Sequence, residues 1–212
     1  MPGAALETDV IPAEATEAIR AAGRRMDARG WVPATAGNIS LRLADGRIAI
    51  TRSGFHKGFI PEDGVMTVDL EGRPEDSHLR PSAETGLHCG IYRRFAKAGA
   101  ALHGHSVAAT VLSRLAGTHI TLAGYELLKA FPGLPTHEAA IRLPVLDNDQ
   151  DIPRLQSRVT QAWDADPAAP PGYVIRGHGV YAWAEDMPGA LLRLEALEFM
   201  LACELETRRM PR

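Results

Sequence analysis

The stretch AALHGHSV, from Ala100 to Val107, sets the fold at the centre of this 212-residue chain. Its first residues are small and apolar, which favours a buried strand, and Ser106 then stands where it can cap the helix VAATVLSRL. Side chains two apart on a strand share a face, so His103 and His105 are predicted to point at one place. That place is the end of a strand, at the rim of a sheet.

Helices and strands are also mixed on the amino-terminal side of this central strand and helix. Apolar residues at helical spacing predict a first helix from Ala13 to Arg29, and Gly30 supplies its end. The segments ISLRL and RIAIT alternate in polarity around Asp45-Gly46, which predicts a β-hairpin. VMTVDL predicts another strand, and a helix opened by a Pro-Ser pair at positions 81 and 82 follows it.

The carboxyl-terminal side has the same mixed pattern. THITL predicts a strand and GYELLKAF a short helix, and we expect an irregular stretch from Pro132 to Asp151. The remaining predicted elements are a helix near Leu155 to Trp163, the hairpin YVIRGHGVYAW and a closing helix from about Met187 to Arg208. Strands and helices mixed around hairpins indicate one domain over residues 1–212. Its predicted class is α/β, with three α/β/α layers and a central mixed, largely antiparallel sheet.

Composition narrows the functional classes. The formal charge of -3 and the lack of a basic stripe argue against nucleic acid as a partner, and small molecules fit better. The amino terminus MPGAALETDVIP has no leader-like apolar run, and no stretch reaches the ~20 apolar residues of a membrane span. We therefore expect a cytoplasmic protein that does not bind membranes. A reducing compartment disfavours a disulfide between Cys89 and Cys203. Both are interpreted as packing residues, because neither has a neighbouring basic group that would make it a thiolate.

The paired histidines need a third ligand to hold a metal, and His178 is the candidate. It lies between two glycines in RGHGVYAW, at the turn of a predicted hairpin where the backbone can approach a site closely. Three histidines with an open fourth position form a catalytic arrangement for zinc. In the alternative interpretation, His103 and His105 bond to backbone carbonyls and His178 is a turn residue.

Other titratable residues have ordinary explanations by default. The remaining histidines are expected to be packing or surface residues: His56, His78, His88, His119 and His137. Glu84 and Glu126 each open a predicted helix, where an exposed carboxylate is favoured by the helix dipole. Next to a metal, however, a carboxylate can remove a proton beside a carbonyl group, so both are candidate acid/base residues.

Three short segments before the histidine pair are suited to phosphate. TAGNIS, TRSG and PSAE each place hydroxyl or amide side chains beside small residues at the ends of predicted elements, where free backbone N–H groups collect. His56 and Lys57 follow the second segment and could approach the phosphate. The alternative is that they lie in a solvated loop.

Five motifs in one order, TAGNIS, TRSG, PSAE, HGHS and GHG, run from Thr35 to Gly179. In this order the chain resembles the class II aldolase and adducin-like family over nearly its whole length. The resemblance implies the family's α/β/α domain and one divalent metal ion per subunit, usually zinc. The implied metal ligands are His103, His105 and His178. The implied phosphate-binding residues are Thr35, Asn38, Ser53, Gly54 and Ser82, and the family's double serine is replaced by Ser82-Ala83.

The resemblance also implies catalytic residues and an assembly. Glu84 matches the acid/base glutamate of the family's sugar-phosphate aldolases. The segments HKG, GYELLKAF, THEAAIRLPVLDNDQDI and GHGVYAW look most like a branch that dehydrates a ketose phosphate, in which Glu126 matches the acid/base residue. A homotetramer with active sites at subunit interfaces is implied as well. Two alternatives stay open: an aldolase of the fuculose-phosphate type, and an adducin-like interaction domain without metal chemistry.

Overall fold

The computed structural model describes residues 11–210. In this range the α-helices are α1 (Ala13–Ala28), α2 (Thr85–Arg94), α3 (Val107–Leu115), α4 (Ile152–Ala165) and α5 (Met187–Arg209). The strands are β1 (Asn38–Arg42), β2 (Ile48–Thr51), β3 (Val65–Val68), β4 (Ala100–Gly104), β5 (His119–Ala123), β6 (Ala140–Leu146), β7 (Gly172–Ile175) and β8 (Gly179–Ala184). Short 3-10 helices cover Lys57–Phe59, Glu62–Gly64 and Glu126–Ala130.

The eight strands form one sheet in the order β3-β2-β1-β4-β8-β7-β6-β5. Neighbouring strands are antiparallel except for β6 and β7, which run parallel. The predicted mixed, largely antiparallel sheet is therefore confirmed. The strand β4 lies near the middle of this order, so its carboxyl end is surrounded by other elements.

Helices cover both faces of the sheet and divide the core in two. Leu102 of β4 and Val180 of β8 face the apolar layer that contains α1, α3 and α5. Their neighbours Ala101 and Tyr181 face the second layer, which contains α2 and α4. This alternation is the period-two pattern of strands buried on both sides, and it produces the predicted α/β/α arrangement.

The boundaries around the central unit agree closely with the sequence prediction. β4 ends at Gly104, and the Ser106 hydroxyl accepts a hydrogen bond from the backbone N–H of Ala109, as an N-cap does. The hairpin of β1 and β2, the hairpin of β7 and β8, and the helices α1, α4 and α5 are also where their patterns place them.

Two local predictions are wrong. The stretch from Pro132 to Asp151 is not wholly irregular, because it contains β6, in which Pro144 pairs with His119. The helix α2 begins at Thr85, later than the predicted start, because the Ser82 hydroxyl donates to the Thr51 carbonyl and does not cap the helix. The segment GYELLKAF forms a short helix, as expected, and this helix is of the tighter 3-10 type.

Some expectations concern residues outside the described range. The segment read as lacking a leader lies mostly in residues 1–10, and the limits of the expected domain lie beyond the described residues as well. Among the helices of residues 11–210, none combines the length and apolar composition that a bilayer crossing requires. Both cysteines are free, and Cys89 is buried in α2.

Candidate metal centre and phosphate pocket

The three predicted metal ligands meet where β4 ends and β8 begins. His103 is opposite Tyr181 in the antiparallel pair of β4 and β8, and Gly104 is opposite Val180. His178 lies in the turn between β7 and β8, so the hairpin brings it over the end of β4. The ring centroids of His103 lie 4.5 Å from His105 and 5.1 Å from His178, and those of His105 and His178 are 4.5 Å apart.

Glu84 completes this group from the start of α2. One carboxylate oxygen, Oε1, lies 3.0 Å from Nε2 of His178, and the other, Oε2, lies 3.4 Å from Nε2 of His103. Each of the four residues offers a ligand atom, and these atoms lie within 4.8 Å of one another. We refer to Glu84, His103, His105 and His178 as the histidine cluster.

The donor set of the histidine cluster fits a cation. Nδ1 of His103 is 3.0 Å from the carbonyl oxygen of Val180, which can only accept, so the ring proton is on Nδ1. Nε2 therefore carries a lone pair, is buried without a hydrogen-bond partner, and faces the carboxylate of Glu84. A metal ion would satisfy both groups, and a carbonyl bonded to the far ring nitrogen is the usual support of a metal-binding histidine.

Burial controls the charges in the cluster. Burial lowers the pKa of His103 well below its ordinary value, so this ring is neutral and able to donate its lone pair. Burial also lowers the pKa of His105, to about 4. Burial alone would raise the pKa of Glu84. The nearby side chains of His103, His178 and Asn38 lower that pKa below its usual range. The cluster thus presents one carboxylate and the neutral imidazoles of His103 and His105, a suitable ligand set for a divalent ion.

A pocket of about 170 Å³ lies beside the cluster. All five residues expected to bind phosphate line it: Thr35, Asn38, Ser53, Gly54 and Ser82. Glu84 and His105 line it as well, so the pocket and the cluster are continuous. A phosphate in the pocket would hold the rest of a sugar chain against the cluster.

The hydroxyl groups of the pocket differ in availability. Within residues 11–210, those of Thr35 and Ser53 have no hydrogen-bond partner, so they are free to donate to an anion. The Ser82 hydroxyl already donates to the Thr51 carbonyl at 2.8 Å. Ala83, which follows Ser82, also lines the pocket and offers no hydroxyl.

Lys57 is a wall of this pocket and not part of a solvated loop. Its side chain is only 1% exposed, and its ammonium group donates to the carbonyls of Thr35 and Phe55, at 2.9 and 2.7 Å. It thus joins the two loops that carry the TAGNIS and TRSG motifs. Burial lowers the pKa of Lys57 to about 8, which leaves the group largely charged at neutral pH. His56 does not line the pocket; its ring accepts from the backbone N–H of Gly58.

The second candidate acid/base residue, Glu126, lies apart from the cluster in the described chain. Its carboxylate is 66% exposed and pairs with Lys129 and with His137. It stands on the 3-10 helix Glu126–Ala130, which is tied to α5 by a hydrogen bond from the Tyr125 hydroxyl to Glu204. A single chain therefore brings Glu84, but not Glu126, into contact with the three histidines of the cluster.

The structure also assigns a place to His88, which the sequence treats as an ordinary histidine. It is fully buried one helical turn after Glu84, and its ring bonds to Asn38 and Ser40. In the sequence, the helical spacing of His88 from Glu84 is the only signal that the two side chains lie near each other.

Comparison with known proteins agrees with the motifs. The family described as Class II Aldolase and Adducin N-terminal domain matches residues 17–205. The methylthioribulose-1-phosphate dehydratase of Gluconacetobacter diazotrophicus is 60% identical over 201 residues, which cover 94% of this chain and 97% of the relative. The protein of the same name from Acidiphilium cryptum is 56% identical over 210 residues, which cover 98% and 97%.

Solved structures show the same fold. An L-fuculose 1-phosphate aldolase superposes with a TM-score of 0.78 at 18% identity, covering 95% of this chain and 90% of the other. An l-fuculose-1-phosphate aldolase from Thermus thermophilus superposes with a TM-score of 0.74 at 26% identity, covering 93% and 97%. The expected class II aldolase-like α/β/α fold is confirmed.

Proposed function

Since the chain belongs to the class II aldolase and adducin family, and its relatives at 50–60% identity are named methylthioribulose-1-phosphate dehydratase, we propose that it catalyses that dehydration. The observation that carries the proposal is the histidine cluster joined to a phosphate-sized pocket, on a chain so similar to these relatives. The enzyme is then a carbon–oxygen lyase of methionine salvage.

The substrate sets the chemical task. 5-Methylthioribulose 1-phosphate is a ketose with its carbonyl at C2 and hydroxyl groups at C3 and C4. Removal of the C3 proton gives an enediolate, and loss of the C4 hydroxyl as water then yields an enol. That enol tautomerises to the diketone 5-methylthio-2,3-dioxopentyl phosphate. The protein must therefore hold the phosphate, take one proton from carbon and give one to the leaving hydroxyl.

The residues that would hold the metal are His103, His105 and His178, with Glu84 against them. We propose zinc, one ion per chain, because three imidazoles with an open position suit zinc catalysis. When bound, the ion supplies polarisation of the C2 carbonyl, which acidifies the C3 proton. His103 is fixed for this task by its bond to the Val180 carbonyl.

Proton transfer is assigned to the two carboxylates. Glu84 contacts His178 within the cluster and lines the pocket, so it can take or return a proton at the substrate carbon. Glu126 is proposed to protonate the leaving hydroxyl. In the described chain its carboxylate lies on an exposed 3-10 helix, so it would reach the cluster of a neighbouring copy. This fits the proposed homotetramer with active sites at subunit interfaces.

The phosphate is proposed to bind in the pocket beside the cluster. Thr35 and Ser53 donate from their free hydroxyls, and Lys57 contributes positive charge. Gly54, Asn38 and Ser82 shape the same wall. The binding energy at the phosphate would keep C2 and C3 against the cluster during proton transfer.

A cytoplasmic location is part of the proposal and is supported by the two free cysteines. No nucleic acid or membrane partner is proposed.

The proposed reaction is tested by its products. Purified protein of known metal content is incubated with 5-methylthioribulose 1-phosphate and, separately, with L-fuculose 1-phosphate, and products are identified by mass spectrometry. Loss of one water from the first substrate alone supports the dehydratase. Cleavage of the second to a three-carbon phosphate and an aldehyde, with the first untouched, makes the protein an aldolase. Inertness toward both, with no bound metal, would favour an adducin-like interaction domain.

A further inference from the structure

A buried chain of hydrogen bonds leads away from Glu84 into the protein. Its members are Tyr92, Ser40, His88 and Asn38, and each is 3% exposed or less. From the far end, the distances are 2.7 Å from Tyr92 to Ser40, 2.6 Å from Ser40 to His88 Nδ1, 2.5 Å from His88 Nε2 to Asn38 Oδ1 and 2.9 Å from Asn38 Nδ2 to Glu84 Oε2.

The positions of the protons follow from the Glu84 end. An ionised carboxylate only accepts hydrogen bonds, so the side-chain N–H₂ of Asn38 must be the group that faces Glu84. The Asn38 oxygen therefore faces His88, and an amide oxygen also only accepts. Nε2 of His88 must then carry a proton.

The protonation of the other ring nitrogen, Nδ1, is determined by burial and by Ser40. His88 is fully buried, and burial lowers its pKa to about 4, so the ring is neutral and Nδ1 bears a lone pair. The Ser40 hydroxyl donates to that lone pair at 2.6 Å, since its other acceptor, the Ala101 carbonyl, is 3.5 Å away. The single proton of Ser40 is then used, and the Tyr92 hydroxyl must donate to Ser40.

We propose that His88, locked in its Nε2–H tautomer by Ser40, is a positioning residue that orients the Asn38 amide and through it the carboxylate of Glu84. Every donor in the chain points toward Glu84. With Oε2 held by Asn38, Oε1 faces His178 and the metal position. Aligned donors polarise one another and favour the ionised carboxylate. The role of Glu84 in catalysis rests on the proposed function, but its orientation and its effect on metal binding do not.

The first test is spectroscopic and needs neither metal nor substrate. Protein labelled with ¹⁵N in its histidines is prepared metal-free, and the ring nitrogens of His88 are recorded from pH 5.5 to 8. We expect a neutral ring with the proton on Nε2 throughout. A proton on Nδ1, or a charged ring in this range, overturns the proposal.

The second test removes and restores the link to Asn38. His88→Phe keeps a ring of similar size but neither donates nor accepts, and zinc affinity in a competition titration should fall about 10- to 100-fold. His88→Gln supplies an N–H₂ group that donates and a carbonyl that accepts, so it can replace both hydrogen bonds of the neutral imidazole, and its zinc affinity should stay within roughly threefold of the parent. Equal zinc affinity for the parent and a folded His88→Phe protein overturns the proposal, as does an equal loss in both variants.

A third comparison covers the case in which His88→Phe fails to fold. Tyr92→Phe removes only the last donor of the chain, and Tyr173→Phe removes a hydroxyl that is equally buried and lacks a hydrogen-bond partner. The Nδ1 resonance of His88 should shift in Tyr92→Phe and stay unchanged in Tyr173→Phe. The proposal is overturned if both variants shift that resonance alike or neither does. Because none of these tests uses the substrate, they stand even if turnover of the proposed substrate is never observed.

Discussion

Replacing Gly179 with alanine tests whether the close approach of β4 and β8 positions the metal ligands. A Cβ at Gly179 would lie 2.1 Å from the carbonyl oxygen of Gly104 and 2.9 Å from Cε1 of His103. Ordinary contacts of a Cβ begin near 3.4 Å. The two strands would therefore have to separate by about 1 Å at the point where His103 leaves the sheet.

The size of the effect follows from this crowding. The strand β8 cannot move aside freely, because Gly179 also pairs with Ile175 of β7. Overpacking of this kind costs roughly 1 to 3 kcal/mol, which lowers the Tm of a chain of this length by roughly 2 to 12 °C. Since the added methyl group also contacts the His103 ring, zinc affinity should fall about 10-fold or more.

The assay compares two alanine variants as metal-free proteins, by thermal unfolding and by zinc competition. Gly117→Ala is the matched control, because a Cβ there meets no heavy atom within 4 Å. Its free energy of unfolding should change by less than about 0.5 kcal/mol. If Gly179→Ala has the Tm and zinc affinity of the parent, the claim that this strand contact positions the cluster is refuted.

Three further predictions concern charged residues. Glu84→Gln and Glu126→Gln should each lower kcat by about 10²- to 10⁴-fold. If Glu126 acts in the active site of a neighbouring copy, mixing the two inactive proteins should restore about a quarter of the parent activity in a closed ring of subunits. No recovery on mixing would show that both residues act in the active site of one chain. Lys57→Met should raise KM for the phosphorylated substrate about 10-fold or more with little change in kcat, because it removes a charged donor, and an unchanged KM would exclude Lys57 from phosphate binding. Burial raises the pKa of Glu198 to about 7, so its folded state binds more protons than its unfolded state between about pH 4.5 and 7, and stability is lost as pH rises through this window. Glu198→Gln should therefore raise the free energy of unfolding by about 2 to 3 kcal/mol at pH 8 and leave it unchanged near pH 4.5. Equal unfolding curves for parent and variant at pH 8 would show that burial does not destabilise the ionised side chain of Glu198.

Local patterns were sufficient to predict the centre of the fold. The strand at AALHG, the cap at Ser106 and the helix after it are consecutive in sequence, so no distant contact is needed to identify them. The hairpin with His178 at its turn is local in the same way. The hairpin pairs with β4 and so brings His178 to His103, which lies 75 positions earlier in the sequence. Local periodicity could not predict this contact, whereas the resemblance of the motifs to a known family implied it.

The missed features depend on distant partners. The strand β6 was not predicted, because it contains Pro144 and a proline argues against a strand. Pro144 lies just outside the part of β6 that pairs with β7, so its missing N–H is tolerated there. Ser82 has the sequence position of a helix cap, but its hydroxyl donates to the Thr51 carbonyl of β2. His88 meets Asn38 across 50 residues of sequence. Each of these contacts is decided by packing between elements and not by the local sequence.

A metal ion held by the histidine cluster is proposed to be required for dehydration. The direct measurement is a titration of the metal-free protein with Zn²⁺, in which the dehydration of 5-methylthioribulose 1-phosphate is followed at each step by mass spectrometry. The rate should rise linearly and level off at about one zinc ion per chain, and the rate of His178→Ala should not rise comparably. Full dehydration by the metal-free protein, or the same titration curve in His178→Ala, would contradict the account.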